Sequence, residues 1–426
     1  MKNDVMDELG WRGLVYDATE GVREMLAESS VTIYNGFDAT ADSLHVGHMV
    51  PLIALARLQR FGHRPIALAG GGTSMIGDPS GRTSERQLLS RETIEANIET
   101  VKRQLAHFLD FEAKSNPARL MNNADWLLKL NLVEFLRDIG KHFTVNYMIA
   151  KESVKARLDR EDGISFTEFT YMLMQSYDYL HLYDHDGCTL QTGGSDQWGN
   201  ITAGAELIRR MRGKSVGALV YPLITKADGT KFGKTEAGAV WLSPERTSPY
   251  RFYQFWLNTD DRDVIGYLKF FTWLAEQEIA ELETALAERP EQRGAQRRLA
   301  REMTSAVHGL TALQKADQAS EVLFGGEVSG LSGAEIADIF ADVPSGELQG
   351  DRLAGEGLPI AELLVLCGAV PSKGEARRAI EAGGIYLNNR RVSDAAGKVS
   401  WADAIEGQYL VLRRGRKNYS LVRIIR

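Results

Sequence analysis

The feature that most constrains this chain is an alternation of two kinds of segment. Short β-branched runs that close on glycine take turns with longer stretches of helical periodicity. "VTIYNGF" (31–37) reads as a buried strand, and "VGHMVPLIALARLQRFG" (46–62) as a helix that stops at Gly62. "RPIALAGGG" (64–72) is a second strand entering a glycine loop, and "ARLMNNADW" (118–126) a third strand and turn. "CTLQTGGSDQWGNITAGAELIRRM" (188–211) is strand, glycine turn and helix, followed by the strand "VGALVYPLIT" (216–225). Strands separated by helix-length segments fit a parallel sheet with helices on both faces, so a Rossmann-like, doubly wound α/β domain is expected over 1–247. In such sheets ligands sit beyond the carboxyl ends of the strands, where these glycine loops fall.

Beyond 248 the strand signals cease. "SPYRFYQFWLNTDDRDVIGYLKFF" and the segments after it carry apolar residues three and four apart, which predicts an α-helical domain over 248–342. The Gly-rich, polar stretch 343–357 reads as a linker. The remainder, 358–426, opens on two short helical stretches and turns to strands ("IYLNN", "QYLVLRRG", "NYSLVRII"), which predicts a small α+β domain.

Charge separates these parts. The whole chain has a formal net charge of −7, yet residues 357–426 hold 12 Lys+Arg against 6 Asp+Glu, a net of +6. The preceding residues therefore carry −13. A basic terminal domain on an acidic body fits an RNA-facing module, and equally a solvated basic surface. Two cysteines, Cys188 and Cys367, exclude a disulfide framework and argue against a cysteine-rich zinc site. No apolar run approaches the roughly 20 residues that cross a bilayer, and the first residues lack a secretory pattern; a cytoplasmic protein with no membrane partner is expected.

Two stretches carry chemistry. "HVGH" holds His45 and His48 at a helix start that follows a strand and loop. A metal pair there would need further ligands, which do not stand nearby. A core role is open to both histidines, as is phosphate handling at a helix N-terminus, with Gly47 allowing close approach. "ITKADGTKFGKTEAG" (224–238) places Lys231 and Lys234 among glycines after a strand. The pair suits clamping a polyphosphate leaving group, and it also fits a solvated hairpin tip. It is not a Walker loop, because Asp228 stands where that motif needs glycine.

Together "HVGH" and "KFGKT" resemble the two signatures of class I aminoacyl-tRNA synthetases. "YNGFDATADSLHVGH", "GDPSGRTSER", "YMLMQSYDYLHL", "GGSDQWGN" and "KFGKT" occur in the order found in bacterial tyrosyl-tRNA synthetases. The C-terminal part resembles the S-four type of RNA-binding domain. The resemblance implies an enzyme that joins L-tyrosine to ATP, giving tyrosyl-adenylate and pyrophosphate, and then esterifies tRNA(Tyr), releasing AMP. It further implies ATP as substrate with Mg2+ accompanying it, no protein-held metal, and a homodimer. Thr40 and His45 would hydrogen-bond the departing phosphates. Arg82, Arg86, Lys231, Lys234 and Thr235 would add positive charge and donors around the pyrophosphate. Gly36, Asp38, Gly47, His48 and Asp196 would line the nucleotide site, with Lys234 reaching the phosphates. Tyr34 and Asp178 would bind the phenolic hydroxyl, Tyr171, Gln175 and Asp78 the ammonium, and Gln197 the carboxylate. Tyr171, Gln175 and Asp178 stand at spacings of four and three, so one helix can present all three from one face. Lys373, Arg377, Arg378, Arg390, Arg391, Arg413, Arg414, Arg416 and Lys417 would meet tRNA phosphates.

Three positions depart from the family pattern: Asn35 where a small sulfhydryl residue is common, Pro51 where threonine occurs, and Arg82 where lysine often sits. A tryptophanyl synthetase is the nearest rival, but an indole N–H is only a donor and has no use for a donor such as Tyr34 opposite it. A nucleotidyltransferase for a small metabolite would not need the helical and basic domains. An RNA-binding protein with a dead active site would not need the lysine loop.

Overall fold

The computed structural model describes residues 4–80, 89–159, 163–230, 232–235, 238–322, 325–326, 328, 330–341, 343–415 and 418–425, with the backbone alone at 153, 234 and 235. The chain divides into two compact units, Met1–Arg246 with Thr259–Leu299, and Thr247–Asn258 with Ala300–Arg426.

The first unit is built on a six-stranded sheet. Its strands are β1 (Asp17–Ala18), β2 (Thr32–Phe37), β3 (Arg64–Ala69), β4 (Arg119–Asn122), β5 (Cys188–Gly194) and β6 (Gly217–Tyr221). Their order is β1-β6-β5-β2-β3-β4, with β1 antiparallel and the other neighbours parallel. The chain winds outward in both directions from β2, so the switch of direction, where such sheets form their crevice, lies between β2 and β5. The interior strands carry apolar residues on both faces, and Ile33, Ile66, Leu190 and Leu219 have no exposed surface. The alternation read from the sequence is thus the observed α/β fold.

Seven helices matter here: α1 (Val5–Trp11), α2 (Met49–Arg60), α3 (Ala124–Leu127), α4 (Tyr171–Asp186), α5 (Trp198–Arg212), α6 (Asp261–Phe271) and α7 (Lys373–Glu381). Helix α2 is buried around most of its circumference, Arg57 included. Arg57 and Arg12 converge on Glu8 at 3.1 and 2.6 Å. Burial, and then the neighbouring Arg12, push the Arg57 guanidinium down to about 9. Arg12 also donates to the carbonyls of Lys269, Thr272 and Leu274 at 3.0, 3.1 and 2.8 Å, and Arg57 lies 4.5 Å over the Trp273 ring.

That node corrects the expected boundary at 247/248. Helix α6 and the helix Glu276–Glu288 belong to the sheet-bearing unit, whereas Pro249–Leu257 packs with the second. Helical periodicity marks a buried face but does not say whose core covers it.

A short hairpin, β7 (Lys234–Thr235) with β8 (Gly238–Ala239), completes the strands of the first unit. In the second, β9 (Ser345–Gln349), β11 (Ile385–Leu387), β12 (Arg390–Arg391), β14 (Tyr409–Arg414) and β15 (Asn418–Ile425) form a sheet ordered β12-β11-β14-β15-β9. A small ladder joins β10 (Leu358–Pro359) to β13 (Lys398–Val399). Strand β9 corrects the linker expected at 343–357. It pairs in parallel with β15, and Leu348 and Leu353 are buried in the core shared with Leu410, Leu412 and Val422. Glycine and polar content signalled a loop, while the alternating Leu348 was too brief a pattern to read as a strand.

Candidate active site

The two segments singled out for phosphate chemistry lie about 190 residues apart in sequence and meet through backbone hydrogen bonds. Val46 N–H donates to the Val240 carbonyl at 2.9 Å, and Leu242 N–H to the Leu44 carbonyl at 2.8 Å. His45 and Trp241 form an isolated antiparallel bridge between those bonds. Val240 N–H in turn donates to the Gly233 carbonyl at 3.0 Å, which closes the lysine-bearing loop at its base. Phe232 anchors that base, stacked on Phe271 at 5.3 Å and edge-on to Tyr267 at 4.9 Å. Gly233 has φ +77, and a Cβ there would stand 2.7 Å from a methyl of Val46. A side chain at that position would therefore force the two segments apart.

The histidines are tied to each other. His45 caps the turn Val46–His48; its Nδ1 accepts from Gly47 N–H at 3.0 Å, and His48 Nδ1 accepts from His45 N–H at 3.1 Å. Their rings stack at 3.9 Å. Since each Nδ1 accepts, the proton of each neutral ring lies on Nε2, so both imidazoles present an N–H donor. This changes the chemistry expected of "HVGH". The amide of Gly47 is spent on His45 rather than open to an anion, and a Cβ on Gly47 would lie 2.8 Å from the His45 ring. Gly47 makes room for the imidazole that caps it.

The carboxyl ends of β2, β3, β4 and β5 carry the rest. At the floor, Asp178 is fully buried on α4. Its Oδ1 accepts from Trp126 Nε1 at 2.8 Å and its Oδ2 from Asn123 Nδ2 at 2.9 Å. Burial pushes its carboxyl up to about 7, against the lowering effect of those two bonds. Tyr34, on β2, is buried, with no partner for its hydroxyl among the described residues; burial, then the Asp178 charge, raise it well above the ordinary tyrosine range. Gln175 and Gln191 likewise carry a buried carbonyl oxygen without a partner among the described residues. Such atoms cost free energy unless something fills the space beside them.

Asn123 links Asp178 to the glycine loop after β3. It accepts from Gly72 N–H at 2.7 Å and donates both to Asp178 and to Thr73 Oγ1, at 3.0 Å. Thr73 Oγ1 donates to Asp38 at 3.3 Å. On the opposite wall, Gln197 Nε2 donates to Asp78 at 2.7 Å and stands 3.4 Å from Asp196. Asp78 also accepts from Ser80 N–H at 2.9 Å. Burial, with Asp78 beside it, raises the Asp196 carboxyl. Tyr171 is buried, Thr40 half-buried and Gly36 exposed.

Asn35, one of the departures noted in the sequence, is engaged within the sheet. It is buried, donates to the Gly36 carbonyl at 3.0 Å and accepts from Thr192 Oγ1 at 3.2 Å. Arg82, Arg86 and Lys231 lie outside the described residues, as do the side chains of Lys234 and Thr235. Among the described residues no group of three or more His, Cys, Asp or Glu could hold a metal ion. Asn123, Trp126, Thr73 and Gln191 were missed by the sequence reading. Their signal was faint: an amide and an indole just past a strand whose next residues form a helix.

Residues 26–325 match the family described as tRNA synthetases class I (W and Y), and residues 335–422 match the tyrosine--tRNA ligase SYY-like C-terminal domain. The tyrosine--tRNA ligase of Roseiflexus castenholzii is 59% identical over 421 residues, 99% of each chain. That of Geobacillus stearothermophilus is 55% identical over 423 residues, again 99% of each. This chain belongs to the tyrosine--tRNA ligase family. A C-terminally truncated mitochondrial tyrosyl-tRNA synthetase from Aspergillus nidulans superposes with a TM-score of 0.68 at 33% identity, covering 76% of this chain and 95% of that one. A tryptophanyl-tRNA synthetase from Encephalitozoon cuniculi, at 12% identity and a TM-score of 0.53, shares the fold alone.

The basic domain expected of such a ligase is uneven in its exposure. Arg377, Arg378, Arg390 and Arg391 are exposed. Lys373 pairs with Glu362 at 2.6 Å and Arg414 with Glu375 at 2.9 Å. Arg413 departs from the surface position expected of it: it is buried, with its guanidinium 3.8 Å over Tyr386 and donating to the Gly415 carbonyl at 3.3 Å. Alternation along β14 turns that one side chain inward, which a count of basic residues does not reveal. Arg416 and Lys417 lie outside the described residues.

Proposed function

We propose that the cleft activates L-tyrosine with ATP and then passes the tyrosyl group to the 3′ end of tRNA(Tyr). The tyrosine carboxylate attacks the α-phosphorus, the bond to the β-phosphate oxygen breaks, and pyrophosphate leaves. A ribose hydroxyl of the tRNA then attacks the activated carbonyl and AMP departs. No protein nucleophile is required, so the work is positioning and charge stabilisation.

Thr40 and the Nε2–H of His45 donate to the phosphates that become pyrophosphate. Lys231, Lys234, Thr235, Arg82 and Arg86 close over the same group, and Mg2+ enters with the nucleotide as its counterion. Asp38, Gly36, Gly47, His48 and Asp196 border the adenylate. Tyr34 and Asp178 hold the phenolic hydroxyl, Tyr171, Gln175 and Asp78 the ammonium, and Gln197 the carboxylate. The observation that supports this reading is the pair of backbone bonds joining 44–46 to 240–242, next to the imidazoles and the base of the lysine loop.

The exposed basic residues of the second unit meet tRNA phosphates, which gives affinity and salt dependence but little base choice. A homodimer in the cytoplasm completes the reading. Its support is an apolar surface on three neighbouring segments: Leu132, Val133, Val145 and Phe166 are 71, 72, 60 and 77% exposed. Large apolar residues left this exposed on segments of one region suit an association surface.

Pyrophosphate exchange measured with each of the twenty amino acids tests the activation step. Exchange with tyrosine alone is expected; exchange with tryptophan, or with none, overturns the proposal.

A further inference from the structure

The indole that donates to Asp178 is itself held from outside the pocket. Trp126 is buried, and its ring stacks on His181 at 4.2 Å with 17° between the planes. His181 follows Asp178 by three residues on α4, so the same helix supplies the acceptor at the indole edge and the cover on the indole face. His185, one turn further on, stacks on His181 at 4.2 Å and lies close to the His181 carbonyl, with Nδ1 at 2.9 Å. A column of three rings thus runs from the exposed end of α4 to the pocket floor. The acidic residues around it are already engaged: Asp184 with Arg212 at 2.6 Å and Asp186 with Arg119 at 2.7 Å.

The geometry needs this support. α3, which carries Trp126, is a single turn of four residues. A helix so short does not fix a side chain by its own hydrogen bonds. Trp126 sits in the core it shares with Leu68 and Ile139, where the bond to Asp178 orients the ring edge and the His181 stack covers one ring face. Removing the stack would leave that ring face uncovered and give the indole room to tilt Nε1 away from Asp178.

We propose that His181 is a positioning residue for tyrosine selection: by stacking on Trp126 it keeps the indole N–H on Asp178, and so keeps the carboxylate aimed at the substrate hydroxyl. The inference rests on the reading of Asp178 as the phenol acceptor. Of the rings that His181 meets, Trp126 is the one bonded to Asp178, so its effect on that carboxyl runs through the indole.

The test compares His181→Ala, His181→Phe and Asp178→Ala in tyrosine-dependent pyrophosphate exchange, with phenylalanine as competitor. In His181→Ala the KM for tyrosine should rise about 3- to 10-fold, the scale of one aromatic stack, with most of the loss in KM rather than kcat. Selection of tyrosine over phenylalanine should fall by the same factor. His181→Phe, which keeps a flat ring and removes the imidazole, should restore both. A tyrosine KM and selectivity in His181→Ala equal to those of the parent enzyme would overturn the inference, as would a loss that His181→Phe fails to rescue. Should His181→Ala not fold, His181→Leu, of similar bulk but with no ring plane, carries the same comparison. Asp178→Ala separates the two readings. If it leaves tyrosine KM unchanged, the assignment of the pocket itself fails. If it abolishes tyrosine use while His181→Ala is silent, only the positioning role fails.

Discussion

At the floor of the cleft Asn123 has every side-chain hydrogen-bonding atom engaged, with bonds to Gly72, Thr73 and Asp178, and the whole group is buried. At the rim, His45 and His48 are half-buried and hold each other through one stack and two bonds to local backbone. The Asp178 carboxyl is thus fixed from two sides before any ligand arrives, while the rim imidazoles lean on each other and on the edge of Trp241. The difference follows from what each region does in the proposed reaction. A pocket that selects one amino acid must hold its polar atoms still before the substrate arrives, because a misplaced acceptor costs selectivity. Groups that stabilise a departing pyrophosphate act on a charge that grows only at the transition state, and those on the closing loop must also release the product.

That contrast can be broken at four points. The largest effect is expected at the rim. His45→Ala should slow adenylate formation by about 10²–10³-fold, the cost of removing one donor to a developing charge, and leave tyrosine affinity nearly unchanged. Single-turnover quench-flow with equilibrium dialysis of tyrosine measures both, and a large loss of tyrosine binding would erase the division. Next comes the floor. Trp126→Phe keeps the ring but deletes the donor to Asp178, and should weaken tyrosine binding about 10-fold or more, the scale of a hydrogen bond to a charged group. Its adenylate rate at saturating tyrosine should stay close to that of the parent. Gly233→Ala, whose methyl would collide with Val46 at a left-handed backbone position, should slow activation about 10-fold through strain while sparing the tyrosine KM.

The smallest signal is a proton. The Asp178 carboxyl sits near 7, chiefly through burial. A donor hydroxyl arriving from tyrosine favours the ionised form and lowers that value. Tyrosine binding at pH 7 should therefore release a fraction of a proton, seen as buffer-dependent heat in titration calorimetry, and affinity should rise between about pH 6 and 8. For the unliganded protein the sign is opposite. A carboxyl raised above its unfolded value contributes most to stability in its protonated form, so that contribution is lost as pH climbs toward and past 7. Asp178→Asn should flatten both trends. A pH-independent tyrosine affinity in the parent enzyme would mean that the carboxyl is already ionised in the empty pocket.

The two regions were not equally legible in the sequence. The rim was readable because its residues lie in short contiguous motifs, "HVGH" and "KFGKT", each beside a strand end. Even there the motif misled about atoms: Gly47 serves the His45 ring, and its amide is not open to phosphate. The floor was half readable. Tyr171, Gln175 and Asp178 share one helical face, but the donors to Asp178 come from residues 123 and 126, and only the parallel pairing of β3 with β4 brings them there. Neither Asn123 nor Trp126 stands in a pattern with the residues it contacts. The alternating strands and helices of the first unit were plain from period alone. The assignment of α6 to that unit was not, since it depends on two buried arginines that reach across the fold to the carbonyls at its end.

Strand β9 has a practical consequence for anyone who dissects this chain. The segment before the basic domain supplies the outer strand of that domain's sheet, laid alongside β15 close to the C-terminus. A fragment started at 358 would look complete on paper, yet it would leave the backbone donors and acceptors of β15 bare along one side. Such a fragment is poised to recruit a second strand from its neighbours, and its loss of solubility could be mistaken for a loss of affinity for RNA.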